Sequence, residues 1–332
     1  MASYRAVSGE SLGPPDGYAL VERDPAPLAA GEVRIRVAAA GVGFVDVLIA
    51  GGGYQVKPPT PYVPGLELSG TIVETGPGID PTWIGQRVAA AAGMGGAFAE
   101  EAVVPADSAI PLSDTLDFPA AATAFVNYQT AWHALTQRAA LRTGETLLVL
   151  GGAGGVGAAC IEVAKLLGAR VVATGSSAAK RDHAVSLGAD AAIAAPGAEG
   201  WREAVRAATG GRGPDVIVDP VGGDATEAAF RAIAWNGRML VIGFAGGGIA
   251  RLPTNLPLLK GAALVGVDLR QFRQRESEAA RANLAAIGDA LRDGKLRPRV
   301  DLLFPLDRFA EAMRAAADRD HVGRAAIVMD GT

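Results

Sequence analysis

One cysteine, Cys160, and three histidines, His133, His183 and His321, are the only thiol and imidazole groups in this 332-residue chain. An internal disulfide is excluded, and a structural zinc site, which usually takes four ligands rich in cysteine, lacks its thiolates. Positive charge is not in excess either: 31 Lys and Arg stand against 35 Asp and Glu, a formal net charge of -4. Nucleic acid therefore meets no basic footprint. No apolar run reaches the roughly 18–20 residues needed to cross a bilayer, and the N-terminus shows no charged-then-apolar export signal. A cytoplasmic protein without a membrane partner is the expectation. There are no repeats and no low-complexity linker.

The length allows two domains, because single cores rarely grow past about 250–300 residues. The first 120 residues are rich in Gly and Pro and carry short period-2 runs. Val33, Ile35 and Val37 alternate with Arg34 and Arg36, the pattern of a half-buried antiparallel strand, and 66–75, 87–91 and 97–104 are similar. This predicts a compact, mainly β domain. From about Pro119 the texture turns to apolar strands each followed by a helix, with strands expected at 146–150, 170–174, 191–193, 215–219, 238–242 and 262–267. Such nearly continuous apolar stretches predict a parallel, doubly wound α/β sheet covered on both faces. A charged, Ala-rich helix is expected at about 274–293, a short strand at 302–304, a last helix at 306–317 and a strand at 325–329.

Gly152, Gly154 and Gly157 complete G-x-G-x-x-G between the strand ending at Leu150 and a helix at 155–167. In that context the motif marks a Rossmann-type dinucleotide site. The first glycine permits the tight turn, the second lets backbone N–H groups approach a pyrophosphate, and the third lets helix and strand pack closely. Gly155 and Val156 lie in the same loop, at the helix N-terminus that favours phosphate. No Lys-Ser or Lys-Thr follows, which excludes a Walker-type loop. An NAD-selective site would carry Asp or Glu at the end of the next strand. Here that end reads Thr174-Gly175-Ser176-Ser177-Ala178-Ala179-Lys180-Arg181, with two hydroxyls and two cations and no carboxylate to repel a 2′-phosphate. NADPH is the expected cofactor. A plain helix cap by Ser176 or Ser177, with Lys180 and Arg181 solvated, is compatible with it.

Further motifs stand in a fixed order: Asp46-Val47-Leu48, Gly52-Gly53-Tyr54, Val63-Pro64-Gly65-Leu66-Glu67, Gly151–Gly157, Asp219-Pro220-Val221-Gly222-Gly223-Asp224 and Phe304-Pro305-Leu306. Together they closely resemble the zinc-independent quinone oxidoreductase family of the medium-chain dehydrogenase/reductases, which includes acryloyl-CoA and enoyl reductases. The resemblance implies a GroES-like, mainly β domain at 1–122, completed by 268–332, around a Rossmann NADPH-binding domain at 123–267. It also implies a homodimer through the sixth Rossmann strand. Zinc-dependent relatives carry Cys in the segment matching 40–46 and His before the Glu of the segment matching 65–67. This chain has no Cys in the first and Leu66 at the His position.

Without metal the resemblance implies hydride delivery from NADPH to a quinone or an α,β-unsaturated carbonyl compound, with donors stabilising the developing enolate. Tyr54, carried by Gly51–Gly53, is the implied donor; its alternative is a Tyr packed at a loop edge. Asn127 and, one turn on, Thr130 match positions near the nicotinamide. Gly243, Phe244 and Ala245 match the loop that binds the nicotinamide half. Gly43 replaces a usual Asn, and the Tyr that often follows the third strand is replaced near Ala195. His133 reads as a packed or capping residue rather than a proton shuttle, since no charged partner or metal motif accompanies it. Cys160 reads as a small apolar residue. Reduction of an acryloyl-CoA-type thioester and a nucleotide-binding role without catalysis are the competing functions. The partner expected is a small-molecule substrate.

Overall fold

The computed structural model describes residues 3–329, which form two compact units: one contains residues up to 126 together with those from 284 onward, the other residues 127–283. In the first unit β1 (Tyr4–Ser8) and β2 (Ala19–Arg23) pair antiparallel, followed by β3 (Glu32–Val42), β4 (Glu67–Thr75), β5 (Arg87–Ala91), β6 (Glu101–Pro105) and β7 (Ala109–Pro111). The second unit holds β8 (Thr146–Val149), β9 (Arg170–Gly175), β10 (Ala191–Ala194), β11 (Val216–Asp219), β12 (Arg238–Val241) and β13 (Ala263–Gly266). The chain returns to the first unit with β14 (Leu302–Pro305) and β15 (Ala325–Val328).

The larger sheet of the first unit runs β14-β15-β3-β4-β5-β7, with β6 also paired to β3. The length of β3 lets one edge serve two neighbours, Glu32–Arg36 pairing with β6 and Ala39–Val42 with β15, while β4 follows the other edge. This central position alters the expected alternation. Arg34, expected on a solvent face, is buried; its Nε donates to Glu74 on β4 at 2.7 Å and its guanidinium lies 3.7 Å from Glu101 on β6. A charge taken out of water needs such partners.

All six strands of the second unit are parallel, in the order β10-β9-β8-β11-β12-β13. That is the doubly wound Rossmann order, which reverses direction between β8 and β11 and opens a crevice at their carboxyl ends. The six expected strands are all present, each within two residues of its expected limits. Leu148, Val172, Ile217 and Met239 form the core between sheet and helices, as apolar runs covered on both faces require.

Three local expectations are corrected. The strand expected at 97–104 is regular only over Glu101–Pro105. The helix expected at 274–293 is two helices, Leu269–Arg275 and Ser277–Arg292: Asp268 accepts from Gln271 N at 2.9 Å and starts the first one early, and Glu276 interrupts. The last helix opens with a 3₁₀ turn, Leu306–Arg308, before Phe309–Ala317. Residues 268–283, expected with the first unit, pack with the second. Phe272 stacks on His133 with centroids 3.8 Å apart, and Asn283 forms a reciprocal amide pair with Gln137. Residues 123–126 fall in the first unit, where Val126 N donates to Glu67.

Candidate active site

The glycine loop after β8 is shaped by what its glycines leave out. A Cβ on Gly157 would stand 2.2 Å from the Gly151 carbonyl oxygen, and one on Gly152 would stand 2.8 Å from Ala173 Cβ. Gly151 itself has φ +62, and its N–H donates to Thr174 Oγ1 at 3.1 Å. Gly154 differs, because a Cβ there meets only the Gly151 oxygen at 3.5 Å and the residue is exposed. Two glycines thus serve packing and one leaves room outside. The helix Gly155–Leu166 begins there without a side-chain cap, and the N–H groups of Gly155, Val156 and Gly157 sit in its first turn, where the helix itself offers no acceptor. Those donors and the helix dipole make a place for an anion.

At the end of β9, Ser177 caps the helix Ala178–Ser186, its Oγ accepting from Lys180 N at 3.3 Å. The cap reading holds for that residue. Lys180 Nζ donates to Ser176 Oγ at 3.0 Å, and Arg181 donates to the Gly175 carbonyl at 3.2 Å. The chain brings Ser176, Ser177, Lys180 and Arg181 together around Gly175. The arrangement presents cations and hydroxyls and fits a phosphate ester.

Beyond β11 and β12 two loops are joined. Asp219 is buried and accepts from Val221 N at 2.9 Å, from Gly222 N at 2.8 Å and from Thr226 Oγ1 at 2.5 Å. The held turn then receives the second loop: Ala245 N donates to Pro220 O at 3.1 Å and Gly246 N to Val221 O at 2.7 Å. Phe244 lies over Gly222, where a Cβ would meet its ring at 2.6 Å. Gly243, Phe244 and Ala245 are thereby set at the carboxyl end of the sheet, where such folds hold ligands.

The helix Phe125–His133 brings Asn127 against the glycine loop, its side chain 2.8 Å from where a Cβ on Gly155 would be. Thr130 is buried on the same helix. His133 is packed: it stacks on Phe272, and its Nδ1 lies 3.2 Å from Gln137 Oε1. Burial pushes its pKa down. Cys160 is buried, and burial raises its thiol to about 12, which leaves it inert.

In the first unit, helix α1 (Phe44–Ala50) ends in Gly51–Gly53, and Tyr54 follows with its N–H on Leu48 O at 3.2 Å. Tyr54 is half-buried against the edge of that unit's core. Two carboxylates in this unit carried no assigned role in the sequence reading. Asp46 is buried and accepts from Gly43 N at 2.8 Å and from Leu66 N at 2.9 Å. Burial raises its pKa to about 7, against the N–H bonds that lower it. Glu67 accepts from Val126 N at 2.7 Å, and burial raises it to about 8, with the Arg324 cation pulling the other way. A signal was available: each sits inside an apolar run, 44–50 and 66–68, where an acid is found only if it is partnered. Among the described residues no group of three or more His, Cys, Asp or Glu could hold a metal ion.

Two segments of the chain match family models, "Alcohol dehydrogenase GroES-like domain" over residues 29–114 and "Zinc-binding dehydrogenase" over 155–285. Fold and loops thus define a two-domain oxidoreductase of the medium-chain dehydrogenase/reductase type. A quinone oxidoreductase-like protein 2 homolog of Nematostella vectensis is 34% identical, with 98% of this chain and 89% of that protein covered. A structure described as a probable oxidoreductase of Mycobacterium abscessus is 35% identical, covers 98% of this chain and 100% of that one, and superposes with a TM-score of 0.86. A mycobacterial protein in complex with NADPH is 29% identical over 98% of this chain and 99% of its own, with a TM-score of 0.87. The chain belongs to the quinone oxidoreductase family of the medium-chain dehydrogenase/reductases.

Proposed function

We propose that the protein is an NADPH-dependent reductase that works without zinc and passes hydride to a quinone or an α,β-unsaturated carbonyl compound. The observation that carries this reading is the contrast within the glycine loop, closed at Gly152 and Gly157 and open at Gly154, beside the Ser176–Lys180 pair. The first-turn N–H groups of Gly155, Val156 and Gly157 would hold the pyrophosphate. Ser176, Ser177, Lys180 and Arg181 would hold the 2′-phosphate, since no carboxylate stands between Thr174 and Arg181 to repel it. Asn127, Thr130 and the Gly243–Ala245 loop would line the nicotinamide half. The bound cofactor supplies the hydride. The segment 40–46, which has no Cys, and Leu66, which stands at the His position, would leave no metal to polarise a carbonyl.

Negative charge that develops on the substrate oxygen then needs a hydrogen-bond donor, and Tyr54 takes that role. Turnover of a panel of quinones and enoyl thioesters with NADPH tests the reading, with Tyr54→Phe in parallel. The variant should lose about 10²–10³ in kcat on enoyl substrates, the usual cost of one such donor, while keeping NADPH binding. Turnover of enoyl thioesters alone would narrow the substrate class. No turnover of any member would leave a nucleotide-binding protein without this catalysis.

The assembly belongs to the same reading. β13 is the outer strand of its sheet, and Leu264 on it is 47% exposed, with Leu258 and Leu259 on the preceding helix 78% and 67% exposed and Trp235 71%. An unpaired edge beside exposed apolar side chains is what a second copy would cover. A homodimer through β13 is the expected state, and sedimentation showing a monomer at micromolar concentration would refute it.

A further inference from the structure

We propose that Asp46 is a positioning residue that clamps helix α1 and passes its own protonation state to the turn carrying Tyr54. The link to catalysis rests on Tyr54 being the donor; the clamp itself does not. The carboxylate reaches two separate pieces of chain, Oδ2 to Gly43 N at the start of α1 and Oδ1 to Leu66 N in the segment before β4. The far end of α1 is held as firmly: Ala50 O accepts from Tyr18 Oη at 2.9 Å and from Gly13 N at 2.8 Å. Leu48 O accepts from both Gly53 N and Tyr54 N. One short helix therefore lies between the carboxylate and the tyrosine, gripped at both ends, and a change of grip at Asp46 moves the whole of it.

The grip depends on charge. Two N–H groups are best met by the two equal acceptors of an ionised carboxylate, whose hydrogen bonds are roughly twice as strong as those of a neutral one. Burial brings the change of state to about pH 7. The groups facing Asp46 are Glu67, next to Leu66, and Tyr62, both of which feel its charge; Arg324 faces Glu67. The helix Phe309–Ala317, packed on α1, buries Ala312 and Met313, while its Glu311 and Arg314 are paired at the surface with Arg308 and Asp16. Tyr18 stands at the other end of α1. The consequence is that activity falls as pH drops through about 7, although the neutral acid is the form that burial favours.

The test combines kinetics with the NMR shifts of two amide protons. With saturating NADPH and crotonyl-CoA or 1,4-benzoquinone as probe, kcat/KM of the wild type should fall about tenfold from pH 8.5 to 5.5, the equivalent of one hydrogen bond. Asp46→Asn should lose that inflection, and Glu67→Gln should keep it. In the Tyr54→Phe background Asp46→Asn should add nothing, as expected of residues acting through one another. The Gly43 and Leu66 amide protons should move downfield between pH 5.5 and 8.5 in the wild type, as stronger bonds to an ionised acceptor require, a measurement that needs no variant. An inflection that survives in Asp46→Asn, or additive losses in the double variant, overturns the link to Tyr54. Proton shifts at those two amides that do not change with pH overturn the clamp. A Tyr54→Phe enzyme with unchanged kcat removes the donor reading and the link with it, and leaves the clamp to be judged on the amide shifts.

Discussion

The two units build their candidate sites from opposite materials. In the second unit the loop after β8 works through missing side chains: Gly152 and Gly157 let backbone meet backbone, and Gly154 leaves its outer side open. In the first unit the comparable positions are held by buried acids, Asp46 and Glu67, whose carboxyl groups accept from the backbone N–H groups of Gly43, Leu66 and Val126. A backbone site depends on geometry and is insensitive to pH. A site held by buried acids is sensitive to both.

Breaking the first half of this contrast should give the largest effect. Gly157→Val places carbon 2.2 Å from the Gly151 oxygen, an overpacking that costs about 1–3 kcal/mol or more, and melting should show a destabilised chain that no longer binds NADPH. Gly154→Val, by contrast, should melt near the wild type yet lose NADPH in a fluorescence titration. Equal melting temperatures for the two variants would erase the distinction between packing glycine and open glycine.

The second half breaks with pH. Asp46 and Glu67 have folded-state values of about 7 and about 8, above their ordinary values near 4. The folded state therefore binds more protons than the unfolded one between about pH 4 and 8, and stability falls as pH rises through that window. Denaturant midpoints measured from pH 5 to 8.5 should decline in the wild type, and less steeply in Asp46→Asn and in Glu67→Gln. A steeper decline in either variant contradicts the assignment.

Smaller still is the effect of Lys180→Ala, which should weaken NADPH by about 10- to 100-fold, the equivalent of one charge-assisted hydrogen bond, and leave NADH nearly unchanged. Equal losses for both cofactors would mean that Lys180 holds the loop through Ser176 and not the phosphate. The smallest effect is expected for Gly43→Asn. Its φ of -116 is ordinary, and a Cβ there stands 3.4 Å from Asp46 Oδ2. Its melting should shift by no more than the equivalent of about 0.5 kcal/mol.

How far each unit could be read from sequence follows the same division. The parallel sheet was legible because fully buried strands are continuous apolar runs, and the glycine loop because steric demands fix residue types at fixed spacing. Arg34 was misread because alternation predicts two faces, whereas β3 is flanked by Glu74 on one neighbour and Glu101 on another. No local pattern shows those partners. Asp46 and Glu67 were quoted as motif residues without a role for the same reason: what gives them one is burial and contact with residues about 20 and 60 positions away. The break at Glu276 was missed because helical composition continues across it.

The central claim, reduction by NADPH without a metal, is tested most directly by measuring metal content and turnover together. Protein dialysed against a strong chelator and analysed for zinc should contain none in stoichiometric amount, and should reduce its best quinone or enoyl substrate with NADPH at the undialysed rate. About one zinc per chain, with activity lost on its removal and restored on its return, would contradict the account.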